Sequence, residues 1–449
     1  MRLYTTDNLF PWERLEDSPG LDTCRQFFEL LPDAKFLAAL RVHRGKGRND
    51  FPVGVLWRVH LLRYLLRHVT MEACLAELGR NPALRKLAGI GEDQKLPEAW
   101  NMSRFSEVVG LPQHVALLEE MFGDLARRLG ETVGDLGVHV AGDSAALSAR
   151  KDQDPEKTSL PQPDGARKEY TDEEGRVVKI LEWFGYKFHL LVDIRHEVAL
   201  AWKITPGSVA DVTQIPTLLT QAQQVLPKGR IATLAYDKAA DDEKTHALLA
   251  SHSIKPLIEI RSLWKSEQER MLPGHDGNSN VVHDEAGTLH CYNKVSDPPV
   301  RHKMSYIGIE KSRGTLKYRC PARHEGWTCQ SDKKCNGTSR YGKTVRVPLT
   351  IDLRRFPPIP RATKEFERRY NGRTAVERVN ARCKLFWGAD DGNITGAARF
   401  HGHLASIMLV HIGFANLLAM TPRHEGKSLS PVRLSVIARR LRQAAVSSA

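Results

Sequence analysis

The chain has 449 residues, 41% of them hydrophobic and 27% charged. That make-up can bury a core, and it excludes a wholly disordered, collagen-like or disulfide-scaffold protein; at roughly 100–200 residues per domain it allows about two to four domains. Lys and Arg number 66 against 53 Asp and Glu, a net charge of +13, which favours a polyanionic partner, either nucleic acid or an anionic membrane.

The start, Met1 to Asp7, has no apolar run after its charge and does not read as a secretory signal. Residues 1–133 read as a helical region for DNA binding or dimerisation. Phe51 to His68 has a helical apolar face interrupted by Arg58, Arg63 and Arg67, and Met71–Leu78, Pro82–Leu87 and Pro112–Leu129 read as further helices. A solvated helical subdomain is an equal reading of the same arginines.

Residues 134–261 change character. Gly134 to Gly142 reads as a strand closed by Asp143, and Lys151 to Gly175 as a surface loop. Strands are predicted over Val177–Val192, with a break near Gly185, and over Glu197–Ile204, with His196 in the turn between. Asp211–Leu226 reads as a helix, Ile231–Tyr236 as a strand closed by Asp237, and Lys255–Ile260 as a strand. Between the last two, Asp241 can cap a helix running to about Ser251. The order is β, β, β, α, β, α, β.

Residues 262–360 read as an insertion of irregular or short-stranded structure, holding four of the seven cysteines. Cys320, Cys329 and Cys335, near Cys291, His290 and His324, suggest structural zinc, although tight Cys pairs are the usual pattern. With no export signal, reduced thiols in a cytosol are the default. Trp264 and Trp327 are candidates for stacking on bases, while Trp202 reads as core and His189 and His196 as structural.

Residues 361–420 return to helix, and 421–449 form a basic tail. Phe400 to Pro422 lacks Asp, Glu, Lys and Arg and is long enough to span a bilayer. It also carries His401, His403, Ser406, His411 and Asn416, and reads as a buried helix, which leaves nucleic acid as the partner and no membrane.

Three acids stand out. Asp143 and Asp237 each close an apolar strand, and Glu377 lies on a helix. Phosphoryl transfer on DNA needs converging carboxylates, because two divalent cations must be held about 3.5–4 Å apart, and hard cations such as Mg²⁺ or Mn²⁺ prefer carboxylate oxygen. Strand-end aspartates also start turns, so neither is diagnostic alone. On one continuous helix, Tyr370, Arg373, Glu377 and Lys384 fall within an arc of about 60°. A metal carboxylate flanked by cations for phosphates is a coherent constellation, in a strip from Arg361 to Lys384 with eight Lys or Arg against three acids. Thr374 and Glu377 equally match a capping box.

At these residues the chain resembles the DDE transposases of bacterial insertion sequences, in the group with a Tyr-x2-Arg-x3-Glu-x6-Lys signature, matched at Tyr370, Arg373, Glu377 and Lys384. Gly142-Asp143-Ser144, Gly185-Tyr186-Lys187, Thr205-Pro206-Gly207 leading to Asp211, and Ala235-Tyr236-Asp237-Lys238 are also similar, so the resemblance covers about residues 30–415. It implies an α/β, RNase H-like mixed sheet with flanking helices, which the strand order fits independently. A helical N-terminal domain precedes that sheet and the insertion interrupts it. It implies Asp143, Asp237 and Glu377 as catalytic metal ligands for Mg²⁺ or Mn²⁺, and DNA contacts at Tyr370, Arg373 and Lys384. The function implied is cleavage at element ends and transfer of the 3′-OH strand into target DNA. The implied partners are double-stranded DNA, as terminal inverted repeats and as target, and a second copy in a homodimer, in the bacterial cytoplasm at the nucleoid. A catalytically inactive DNA-binding relative, and an RNase H-like nuclease without strand transfer, are the alternatives.

Overall fold

The computed structural model describes residues 19–46, 50–150, 158–172, 176–264, 266, 269–274, 279–293, 295–391, 393–420 and 428–429. Apart from Ser428 and Leu429, the basic tail therefore lies outside the described residues. Among the described residues seven helices come first: α1 (Pro19–Leu30), α2 (Ala34–Arg44), α3 (Val53–Leu65), α4 (Met71–Arg80), α5 (Pro82–Ala88), α6 (Ala99–Val109) and α7 (Pro112–Thr132). Local signals set several ends. Thr70 accepts the Ala73 N–H to cap α4, Asn81 accepts the Leu84 N–H to cap α5, and Pro112 opens α7 where no N–H partner is needed.

The sheet is built from β1 (His139–Ser148), β2 (Asp164–Thr171), β3 (Val177–Asp193), β4 (Ala199–Pro206), β5 (Thr233–Tyr236) and β6 (Lys255–Ile258). Helix α8 (Ile215–Val225) precedes β5, and α9 (Glu243–Ser251) joins β5 to β6. Its central order is β4-β3-β1-β5-β6, antiparallel from β4 to β1 and parallel from β1 to β6. This is the RNase H-like arrangement.

Four expectations need correction here. Asp143 does not close its strand: β1 runs on to Ser148, with Asp143 opposite Leu190 of β3. The stretch read as a loop contains β2, which pairs with the first half of β3 as β4 pairs with the second, the change falling at Gly185. The ribbon has no apolar alternation to betray it, because its far end is exposed on both faces, including Val177 and Val178. The helix predicted from Asp211 begins as a 3₁₀ turn, Asp211–Gln214, and Asp242, not Asp241, caps α9. Asp241 is instead fully buried. It accepts hydrogen bonds from Arg354 Nε at 2.7 Å, Arg361 Nη2 at 3.1 Å and the Arg261 N–H at 2.8 Å, and lies 3.0 Å from His246 Nε2.

Those arginines end an insertion with its own small core around Leu289, Leu316, Val347 and Phe356. It consists of a four-stranded sheet, β7 (Arg270–Met271), β8 (Val281–His283), β9 (Leu289–Asn293) and β10 (Val300–Lys303), and a three-stranded one, β11 (Ser305–Glu310), β12 (Thr315–Arg319) and β13 (Thr344–Pro348). Two short helices, α10 (Pro321–Glu325) and α11 (Asp332–Asn336), lie between β12 and β13.

After it come α12 (Lys364–Tyr370), α13 (Thr374–Trp387) and α14 (Ala397–Ala419). Helix α14 is apolar and long enough to cross a membrane, but its most apolar window is 94% buried inside the protein. It packs against α1, α3, α6, α7 and β4, so one core joins the N-terminal helices to the sheet. Gly110 and Gly402 allow the closest crossing: a Cβ on Gly110 would stand 1.7 Å from the Ala398 carbonyl oxygen.

The histidines of α14 are buried core groups, each with at least one ring nitrogen hydrogen-bonded. His403 Nδ1 is 2.9 Å from Tyr64 Oη, and His411 Nε2 accepts the Ala199 N–H at 2.9 Å. His60 Nε2 of α3 meets Ser406 Oγ at 3.0 Å. Burial pushes His401 and His403 down to about 4, and His60 and His411 down to about 3. The unfolded chain, with ordinary histidines near 6.5, therefore binds more protons than the folded one in the window between. Their contribution to stability is complete above about pH 6.5 and is lost as pH falls towards 3–4. The thermal midpoint is expected to drop steadily over that window. A flat midpoint from pH 6.5 to 4.5 would contradict these neutral, buried rings.

Candidate active site

β1 and β5 run parallel with Ala141 opposite Ala235, which sets Tyr236 alongside Gly142 and Asp237 beside Asp143. Gly142 is needed for this, since a Cβ there would stand 2.2 Å from the Tyr236 ring. Gly142→Ala is expected to push Tyr236 and the chain to Asp237 aside, lowering any activity that needs both aspartates by about a hundredfold, as a displacement of about 1 Å can do. Wild-type activity in this variant would show that the contact is slack.

Asp143 is largely buried and accepts the Ser144 N–H at 2.8 Å. Burial pushes its carboxyl up to about 6; the Ser144 N–H, Arg373 and Lys168 oppose the rise and Asp237 adds to it. Asp237 ends β5 and accepts the Ala239 N–H at 3.1 Å.

Helix α13 brings the third acid. It is pinned to the β3–β4 turn by Glu197, which receives Arg378 Nε at 2.7 Å and the buried Arg382 Nη2 at 2.9 Å. A 3₁₀ turn, Asn371–Arg373, separates α12 from α13, yet keeps helical backbone angles, so the four signature residues stay on one side. Arg373 Nη2 meets Glu377 Oε1 at 2.9 Å, and its Nη1 lies 3.5 Å from Asp143 Oδ2. One guanidinium therefore joins carboxylates from β1 and α13. The capping-box alternative fails, because Thr374 lies inside the helix with its hydroxyl donating to the Asn371 carbonyl, and Glu377 is taken up by Arg373.

Tyr370 stacks on Phe366 with ring centroids 5.6 Å apart. Burial, Glu259 and Asp237 raise its hydroxyl to about 12 against the pull of Arg373. Lys384 donates to the Ala146 carbonyl of β1 and lies 3.4 Å from Asp390. Sequence reading missed both Asp390, which also accepts the Ser148 N–H, and Lys168 of β2, which faces Asp143 electrostatically. No local pattern in either segment signals these contacts. Lys187 pairs with Asp211 at 3.1 Å beside the buried His189, bracing β3 against the 3₁₀ turn.

The zinc expectation is not met. Among the described residues no group of three or more His, Cys, Asp or Glu is arranged to hold a metal ion. Cys320 and Cys335 instead accept from the side-chain amides of Asn336 and Asn280, each at 3.5 Å, and all seven thiols are free. Asp143 and Glu377 are instead both engaged by Arg373.

The RNase H-like sheet thus carries two aspartates on adjacent strands, with a glutamate on the helix packed beside them. The profile described as "Transposase DDE domain" matches residues 139–412, and that described as "Transposase domain (DUF772)" matches residues 8–107. The chain belongs to the DDE transposase family, a class of enzymes that cleave DNA and transfer its strands. Among solved structures, the crystal structure of a pre-cleavage Mos1 transpososome is 11% identical, with a TM-score of 0.17 over 47% of this chain. The match spans 60% of the length of that chain. No curated protein matches.

Proposed function

We propose that this transposase cleaves DNA at the ends of a mobile element and joins the freed 3′-OH to target DNA, with Asp143, Asp237 and Glu377 as its metal ligands. One observation carries the reading. Asp143 and Glu377, from β1 and α13, are bound by the same guanidinium, and Asp237 lies within its electrostatic reach. Carboxylates from two elements sharing one positive charge offer the hard oxygen donors that Mg²⁺ or Mn²⁺ prefers. When bound, such ions activate the attacking oxygen and stabilise the leaving one.

The chain's own residues do the rest. Asp143 is held by the Ser144 N–H and stays on a rigid central strand. Arg382 and Arg378 fix the helix that presents Glu377. Tyr370, Arg373 and Lys384 line the approach and take the phosphates flanking the scissile bond. The N-terminal helices with Arg41 and Arg58, which line a cavity of about 560 Å³, contribute binding of element ends. A homodimer holding two ends, acting on DNA in a bacterial cytoplasm, completes the proposal.

The test is cleavage of a duplex carrying the sequence that flanks the reading frame. Activity is expected with Mg²⁺ or Mn²⁺ and none after chelation; undiminished cleavage without divalent metal would end the two-metal reading. Lys384→Ala is expected to weaken duplex binding and reduce its log–log salt slope by about one unit, as for one lost phosphate contact. An unchanged slope would leave Lys384 as the tether between α13 and β1 alone.

A further inference from the structure

We propose that Arg373 stands in for a divalent cation when the protein is free of DNA, and that a DNA phosphate draws it out, so that DNA binding and metal loading strengthen one another. The inference rests on the assignment of Asp143, Asp237 and Glu377 as metal ligands.

Three features of the site carry it. The guanidinium bridges carboxylates of two different elements, Asp143 on β1 and Glu377 on α13, and does what a cation between them would do. Asp143 is only 20% exposed and Arg373 only 23%, so their interaction is shielded from solvent. Arg373 stands between two of the carboxylates, and among the described residues no three His, Cys, Asp or Glu are grouped so as to hold a metal ion. A divalent ion placed among the same oxygens would sit within a few ångströms of a fixed positive charge, and like charges at that range repel strongly away from bulk water. Arginine cannot relieve this by losing a proton; it can only move.

A second seat is at hand. The guanidinium carbon already lies 6.0 Å from the centre of the Tyr370 ring, at the edge of cation–π range. Rotation about the side-chain bonds would take it towards that ring and leave its donors facing solvent. A backbone phosphate there would receive a bidentate, charge-assisted pair that neither carboxylate now receives. The coupling must be reciprocal: whatever factor DNA adds to metal affinity, metal adds to DNA affinity. The consequence is a site that loads its ions chiefly when substrate is in place.

The experiment measures Mn²⁺ binding to the full chain by the electron paramagnetic resonance signal of the free ion. Without DNA, Arg373→Gln is expected to bind Mn²⁺ about tenfold more tightly than wild type, with an unchanged thermal midpoint. Arg373→Met, uncharged and similar in length, should behave alike and serves if the first variant does not fold. Adding a duplex of the flanking sequence should tighten Mn²⁺ binding to wild type and do so less for either variant. Unchanged or weaker Mn²⁺ binding in the variants would overturn the proposal and make Arg373 a brace that preforms the site. Asp143→Asn separates this from failure of the underlying assignment. If Asp143→Asn binds Mn²⁺ as wild type does, the ligand assignment itself is wrong. If Asp143→Asn loses Mn²⁺ while the Arg373 variants gain nothing, only the stand-in role fails.

Discussion

Glu377→Gln is expected to abolish DNA cleavage while leaving the fold intact. Glu377 is half exposed, on a helix anchored by its neighbours Arg378 and Arg382 through Glu197, so the carboxylate contributes little to holding α13 in place. Glutamine keeps the length and one oxygen of the side chain but removes the charge that a hard cation requires. Its amide oxygen still accepts from Arg373, as a neutral partner. The thermal midpoint and affinity for duplex DNA should therefore stay near wild type, since phosphate contacts supply most of that affinity. Cleavage should fall by at least about three orders of magnitude, equivalent to roughly 4 kcal/mol of barrier. Gel assays of cleavage beside duplex binding and thermal melting decide it. Wild-type cleavage would move the third ligand elsewhere, to Glu365 or Glu367 on α12; of these, Glu365 already engages Arg369 at 3.0 Å.

Asp241→Ala is expected to destabilise the protein by about 3–5 kcal/mol, the usual cost of removing one partner from a buried ion pair. Asp241 is wholly buried, and Arg354 and Arg361 are only 7% exposed. Burial alone would raise its carboxyl, but His246, the Arg261 N–H, Arg361 and Arg354 hold it below the ordinary range. The mutant would leave two guanidinium groups in the interior with only carbonyl partners: Arg261 for Arg354, and Ile258 and Arg354 for Arg361. Because these residues lie at both ends of the insertion, limited proteolysis should cut first near residues 261 and 354. Denaturant unfolding that shows a loss below about 1 kcal/mol would mean that the arginines find other partners.

The site was legible where chemistry and local periodicity coincide. Tyr370, Arg373, Glu377 and Lys384 share a helical spacing that survives an intervening 3₁₀ turn, and Asp237 follows a four-residue buried strand. Other features depend on distant chain. Gly142 reads as the end of a strand, yet it is there because the Tyr236 ring packs across it. Asp241 reads as a cap because Asp242 stands next to it, and only the return of the chain at Arg354 and Arg361 reveals its role. β2 escapes notice because Asp164–Thr171 is polar and its partner strand leaves the core. Lys384 carries the expected charge, but the oxygen that holds it belongs to Ala146, on a strand no helical pattern can point to.

Helix α14 also sets an order of events during synthesis. Domains ordinarily fold as they emerge, the N-terminal one first. Here a later helix supplies part of the core of the N-terminal helices. Phe27 of α1 packs against Phe414, His60 and Tyr64 of α3 find their partners at Ser406 and His403, and Gly110 is closed over by Ala398 and Gly402. Until residue 419 has cleared the ribosome, those helices lack one wall of their core. A nascent or prematurely terminated chain ending before Gly396 would thus expose apolar surface, a substrate for chaperones and proteases. The core of the N-terminal helices is in this sense completed only by α14.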